Sequence, residues 1–273
     1  MQFPVRQIRL RHACVILVKM VKSPWFSTFH AVHAPRIRLV CLPHAGGGIS
    51  VFHHWKKEVP SDIELCAVQL PGRDSRYHEP LDTDLLHIVG ELAKALLLAP
   101  PTPLLVIFGH SMGAVMAFEL AHTLARGHRR PDLLIVSGRA APHLHRAPTE
   151  HLHRLSNAAF IDKLQLRYGG IPDALLADAE LMKIYLPILR ADLQAVETYR
   201  YAAWPADSWP LMAYGGTEDQ GVGRMELNEW QQHTTGSFGM SMLPVSHFYY
   251  QTHRAAFLQR LLEDVHKWCP TPR

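Results

Sequence analysis

The chain has 273 residues, 48% of them hydrophobic and 19% charged, which is the composition of one well-cored globular domain. This excludes disordered, collagen-like and small disulfide-rich proteins. The formal net charge of +4 would suit a nucleic-acid or membrane-surface partner, but residues 1–22 hold five basic side chains and no acidic one. The remaining chain carries 23 basic against 24 acidic residues and has no basic stripe with interleaved aromatics. We therefore expect no nucleic-acid partner and no membrane association.

Residues 1–22 form a basic N-terminal extension. Their apolar run at 13–18 is shorter than the roughly 7–15 residues of a signal-peptide core, and Lys19 follows it directly. We expect a dispensable extension, a functional start near Met20, and a single domain at 23–273. Prolines interrupt the apolar stretch 95–108 well short of the roughly 20 residues that span a bilayer. The four cysteines form no C-x-x-C pair, so reduced thiols and a cytoplasmic location are expected.

From residue 37, short apolar runs alternate with amphipathic stretches of helical length. This alternation predicts parallel βαβ units, and hence an α/β fold with a mostly parallel central sheet flanked by helices. The predicted strands are Ile37–Leu42, 64–69, 104–108, Leu133–Ser137, 211–214 and 240–243, and the predicted helices are 81–98, 114–126 and 252–267.

The alternation stops at about 142–207, where helical periodicity predicts helices at 158–168, 173–186 and 188–199. A helical insertion between two strands is typical of a lid. The insertion is apolar on more than one face, so it either packs on the sheet or lines a substrate pocket. For the second alternative, the candidate lining residues are Leu181, Tyr185 and Leu189.

The segment Gly109-His110-Ser111-Met112-Gly113 follows a predicted strand and precedes a predicted helix. This is G-x-S-x-G in the context of a nucleophile elbow, where a sharp strand-to-helix turn exposes the serine hydroxyl. The flanking glycines leave room for neighbouring backbone. Ser111 is therefore the candidate nucleophile.

A serine nucleophile needs a base and an orienting carboxylate, which this architecture supplies in the chain order serine, acid, histidine. Among the 19 histidines, His247 is favoured because it follows the last predicted strand, at the edge of the sheet where ligands bind. Glu218 and Asp219 both lie in the turn after the strand at 211–214. We favour Asp219 and keep Glu218 as the alternative.

An oxyanion hole requires two backbone N–H donors. One is expected from Met112, the residue after the nucleophile. The other is expected from the glycine-rich loop at 42–48, after the first strand, with Ala45 preferred and Gly46 as the alternative. This loop has neither the G-x-G-x-x-G nor the Gly-Lys-Ser pattern of phosphate-binding loops.

These motifs together resemble the type II thioesterases of polyketide and nonribosomal peptide assembly lines, over about residues 23–273. The strings that carry the resemblance are SPWF at 23–26, LPHAGG at 42–47, VQLPGR at 68–73, GHSMGA at 109–114, VSGR at 136–139 and YGGT at 214–217. The resemblance implies an α/β-hydrolase fold and hydrolysis of acyl thioesters on the phosphopantetheine arm of acyl or peptidyl carrier proteins. It also implies catalytic roles for Ser111, Asp219 and His247.

This chemistry requires no cofactor and no metal. The pairs His143/His145 and His151/His153 lack carboxylates or cysteines at ligand spacing, so we expect no metal site. We also expect a monomer. Two alternatives are an oxygen-ester hydrolase on the same fold and a catalytically idle module that binds carriers or ligands.

Overall fold

A computed structural model describes residues 23–29, 32, 34–146 and 148–270, so the predicted extension at 1–22 lies outside the described residues. Seven strands form one sheet in the order β1-β3-β2-β4-β5-β6-β7. Their bounds are Phe26–Thr28 for β1, Ile37–Leu42 for β2, Ile63–Val68 for β3, Leu104–His110 for β4, Leu133–Ser137 for β5, Leu211–Gly216 for β6 and Phe238–Leu243 for β7. All neighbours pair in parallel except β1, which runs antiparallel to β3. The predicted mostly parallel α/β sheet is confirmed, and β1 is an addition to it.

Eight α-helices accompany the strands in the described residues. They are α1 at Leu85–Leu98, α2 at Met112–Arg126, α3 at Asn157–Tyr168, α4 at Asp173–Leu176, α5 at Ala179–Thr198, α6 at Arg224–Asn228, α7 at Tyr249–Thr252 and α8 at Arg254–Trp268. Within these residues, none of the helices has both the length and the hydropathy needed to cross a bilayer.

Side chains alternate between the two faces of the sheet, and each face is covered by helices. Val40 and Ile107 pack with α1 and α2 on one face. Leu39 and Phe108 pack with α8 on the other. Because the inner strands β2–β6 are buried on both faces, their sequences are almost continuously apolar.

The segment between β5 and β6 is helical and packs around a small core of its own, which includes Phe160, Leu164 and Leu186. The prediction of a helix break between 186 and 188 was wrong, because α5 runs through Pro187. Pro187 lies on the exposed side of α5, where water can satisfy the carbonyl that the missing N–H leaves free. The helix begins instead after Asp178, whose carboxylate accepts the N–H groups of Glu180 and Leu181 at 3.0 Å.

Candidate active site

Ser111 lies in the turn between β4 and α2 and has φ 55° and ψ −111°. A positive φ is strained for a residue with a side chain, and a serine held this way at a strand-to-helix turn is typical of a nucleophile elbow. The Ser111 N–H donates to the Ser137 carbonyl at 2.8 Å, which anchors the turn to β5. A Cβ at Gly109 would overlap the backbone of Gly113, and a Cβ at Gly113 would overlap the carbonyl of Leu42. Only glycine fits at both positions.

His247 lies in the loop after β7, and its Nδ1 is 2.6 Å from Asp219 Oδ2. Both side chains are buried, with exposed fractions of 5% and 0%. The other carboxylate oxygen of Asp219 accepts the Gly221 N–H at 2.8 Å. Glu218, the alternative acid, is exposed to solvent. The carboxylate that orients the imidazole in this geometry is therefore Asp219, and Nδ1–H donation to it leaves Nε2 as the proton acceptor.

The backbone donors predicted for an oxyanion hole lie beside Ser111, since Ala45 and Met112 line the same cavity as Ser111 and His247. Met112 is the first residue of α2, where an N–H has no partner within the helix. The Gly46 N–H donates to Asp192 at 2.6 Å and is already engaged. Of the two alternatives in the glycine-rich loop, Ala45 is therefore the one whose N–H has no acceptor among the described residues.

The glycine-rich loop is held by a buried ion pair that the sequence did not predict. Arg73 Nη1 and Nη2 contact Asp192 Oδ2 and Oδ1 at 2.6 and 2.7 Å. Arg73 Nη1 also donates to the Gly47 carbonyl at 3.0 Å. Asp192 belongs to α5, so this Arg73–Asp192 pair joins the loop to the helical insertion. The string VQLPGR at 68–73 supports the family resemblance but indicates no partner for Arg73, because Asp192 lies 119 residues further along the chain.

Two further histidines lie close to His247. The rings of His110 and His247 are 5.0 Å apart. Burial lowers the pKa of His110, and His247 and His44 lower it further. Burial also lowers the pKa of His44 to about 3, with smaller contributions in the same direction from His247 and Arg73. Both imidazoles are therefore neutral near pH 7 and add no positive charge to the site.

Two cavities meet at Ser111 and His247. The first, which we call the apolar cavity, is lined by Leu164, Ile171, Phe248 and both Tyr185 and Leu189 of α5. Leu181, the third lid candidate, does not line it and is 49% exposed. Leu181 lies in the first turn of α5, roughly 12 Å along the helix from Leu189, beyond the rim of the cavity.

We call the second one the cationic cavity. Its lining includes Ser111 and His247 together with the arginines 139, 146 and 167. It also shares Arg139 and Tyr168 with the apolar cavity. Ser111 therefore lies where the two cavities meet, and three arginines line the second of them.

One of the two H-x-H pairs has a carboxylate nearby. His151, His153 and Glu197 bring three potential ligand atoms within 4.8 Å of one another. Glu197 comes from α5, so spacing along the sequence did not indicate it. Its Oε1 accepts the Leu152 N–H at 2.9 Å, and its Oε2 is hydrogen-bonded to His153. These contacts use the carboxylate to tie the short helical turn at Leu152–Arg154 to α5.

Comparison with known proteins identifies the family. A family model described as "Thioesterase domain" matches residues 37–269. The gramicidin S biosynthesis protein GrsT of Aneurinibacillus migulanus is 38% identical over 232 residues, which cover 83% of this chain and 88% of that protein. The thioesterase PikA5 of Streptomyces venezuelae is 39% identical over 230 residues, covering 82% of this chain and 79% of that protein.

Solved structures of thioesterases are also similar to this chain. The type II thioesterase BorB from the borrelidin biosynthetic cluster has a TM-score of 0.80 and 33% identity, covering 88% of this chain and 97% of that chain. The RedJ thioesterase from the prodiginine pathway of Streptomyces coelicolor has a TM-score of 0.77 and 34% identity, covering 85% and 91%. The predicted family and fold are confirmed. The chain belongs to the thioesterase family and is an enzyme of the α/β-hydrolase fold.

Proposed function

We propose that this protein is a type II thioesterase of polyketide or nonribosomal peptide biosynthesis, with Ser111, His247 and Asp219 as its catalytic triad. Its substrates are acyl groups held as thioesters on the phosphopantetheine arm of acyl or peptidyl carrier proteins. The observation that carries the proposal is the pairing of His247 with buried Asp219 beside an elbow serine that lines the same cavity. The likeness to BorB and to YbtT, the type II thioesterase of the yersiniabactin pathway, supports the biosynthetic role.

The mechanism follows from these positions. Ser111 Oγ attacks the thioester carbonyl carbon while His247 Nε2 takes its proton, and Asp219 stabilises the imidazolium that forms. The N–H groups of Met112 and Ala45 bind the oxyanion, and the pantetheine thiolate leaves with a proton from His247. Water, deprotonated by His247, then attacks the acyl-serine ester and releases the free acid. The apolar cavity accommodates the acyl chain, with Tyr185 and Leu189 among the contacts that select its shape.

The two alternatives predict different outcomes. An oxygen-ester hydrolase would cleave a matched acyl ester faster than the acyl thioester, and membership of the thioesterase family favours the opposite order. An idle binding module would form no acyl-enzyme, whereas the buried His247–Asp219 pair is the arrangement that activates a serine.

The decisive experiment is mass spectrometry of the protein after mixing with a slowly hydrolysed acyl thioester. We expect one acyl adduct, on Ser111, and a loss of turnover of about 10⁴-fold or more in Ser111→Ala. Ser246→Ala is the matched control, because Ser246 is exposed in the loop beside His247. Near-normal turnover by Ser111→Ala, or an adduct on another residue, would refute the triad.

A further inference from the structure

The cationic cavity is lined by three arginines and, among the described residues, a single carboxylate. Arg139 follows the end of β5, and its carbonyl accepts the Trp230 indole N–H at 2.7 Å, which fixes its backbone. Its guanidinium Nη2 lies 3.2 Å from Nδ1 of His145. Among the residues that the structure describes, no carboxylate lies within ion-pair distance of Arg139. A partly buried guanidinium without a carboxylate partner would be stabilised by a bound anion.

Burial and neighbouring side chains shift the pKa of Arg139 in opposite directions. Burial lowers the pKa of the Arg139 guanidinium, and Arg167 lowers it further, whereas Tyr168 and Tyr199 oppose these effects. Burial lowers the pKa of His145 to about 4, and Arg139 contributes in the same direction. His145 is therefore neutral at pH 7, while the arginines keep their charge at all ordinary pH values. Three positively charged guanidinium groups therefore line the same cavity.

Glu197 is the acidic residue among the side chains that line this cavity. Its oxygens are engaged by the Leu152 N–H and by His153, and among the described residues it forms no ion pair with an arginine of this cavity. Arg146 and Arg167 are exposed, whereas Arg139 is partly buried deeper in the cavity, next to the strand end that anchors Ser111. The charge therefore extends from solvent toward the nucleophile.

We propose that the cationic cavity binds an anionic oxygen group of the substrate while its thioester carbonyl lies at Ser111. This rests on the proposed function, which places a thioester there. The planar guanidinium group of arginine can donate two N–H groups at once to two oxygens of a phosphate or a carboxylate. Two groups of such a substrate have this chemistry: the phosphate of the phosphopantetheine arm and a carboxylate on the acyl chain. Arg146 and Arg167 suit a phosphate near the mouth, and Arg139 suits a carboxylate close to the reacting carbonyl.

The test compares three thioesters with the full chain. Butyryl-pantetheine is neutral, butyryl-4′-phosphopantetheine adds the phosphate, and succinyl-pantetheine adds the acyl carboxylate. We expect kcat/KM for at least one of the two anionic substrates to exceed that for butyryl-pantetheine by about tenfold or more, chiefly because KM is lower. Arg146→Gln and Arg167→Gln should abolish a preference for phosphate, and Arg139→Gln a preference for carboxylate. Arg154→Gln is the matched control, an exposed arginine of the same insertion that lines neither cavity.

Equal kcat/KM for all three substrates would overturn the inference. So would a preference that survives all three cavity substitutions, or one that Arg154→Gln also removes. Calorimetric binding of pantetheine, 4′-phosphopantetheine and succinyl-pantetheine to Ser111→Ala provides a second measurement that needs no turnover. Absence of hydrolysis and of any Ser111 adduct would refute the proposed function, whereas these binding measurements would still decide whether the cavity prefers an anion.

Discussion

The Arg73–Asp192 pair is the contact whose removal we expect to be most damaging outside the proposed triad. Asp192 is 1% exposed and Arg73 is 6% exposed, and Asp192 accepts two hydrogen bonds from Arg73 and one from the Gly46 N–H. Asp192→Asn keeps the volume but removes the charge, leaving a buried guanidinium unpaired. Breaking a buried ion pair by losing one partner costs about 3–5 kcal/mol, a large share of the roughly 5–15 kcal/mol that stabilises a typical domain.

Urea unfolding measured by tryptophan fluorescence gives this free energy directly. We expect a lower midpoint with an unchanged m-value, because the loss lies in stability and not in the surface exposed on unfolding. We also expect a lower kcat, since the glycine-rich loop beside Ser111 loses its anchor to α5. Asp62→Asn is the matched control: Asp62 is 41% exposed where it pairs with Arg36, and we expect a loss under about 1 kcal/mol.

A loss below about 1 kcal/mol in Asp192→Asn would refute this reasoning, because the pair would then behave like an exposed one. The double variant Arg73→Met/Asp192→Leu separates charge from packing. If the cost in Asp192→Asn arises from the stranded charge, the double variant should recover part of the stability while kcat stays low.

Three further predictions concern the acid, the elbow and the pH dependence. Asp219→Asn should lower kcat by at least about 10²-fold, because it removes the carboxylate that orients the base. Glu218→Gln should leave kcat within about twofold. Equal effects of the two substitutions would contradict the assignment of Asp219 as the acid. Gly113→Ala should destabilise by at least about 3 kcal/mol in urea unfolding, while Gly90→Ala, with open space around the added methyl in α1, should be neutral or stabilising. Burial lowers the pKa of His122 to about 4. As the pH falls, the unfolded state therefore takes up a proton before the folded state does. The contribution of neutral His122 to the free energy of unfolding is fully present above about pH 6.5 and is lost as the pH falls toward 4. His122→Phe should recover about 1 kcal/mol of that loss at pH 5, and an unchanged pH slope would contradict it.

Much of the fold could be predicted from local sequence patterns. The strands Ile37–Leu42 and Leu133–Ser137 have their predicted bounds, since a strand buried on both faces is apolar throughout and is easily recognised. Strand β1 was not predicted, because Phe26–Thr28 is too short to show a pattern and is a strand only through its pairing with β3. Helical periodicity predicted separate helices at 173–186 and 188–199, whereas α5 continues through Pro187 because that residue lies on the exposed side of the helix.

The sequence by itself determined the family, the α/β class and the elbow at Ser111, because each depends on residues that are neighbours along the chain. The tertiary structure decided what depends on distant residues meeting. It paired His247 with Asp219 and not Glu218, engaged the Gly46 N–H with Asp192, and placed Leu181 outside the apolar cavity. It also gathered arginines from two loops and α3 into one cavity beside Ser111. Long-range packing sets these contacts, and spacing along the sequence does not encode them.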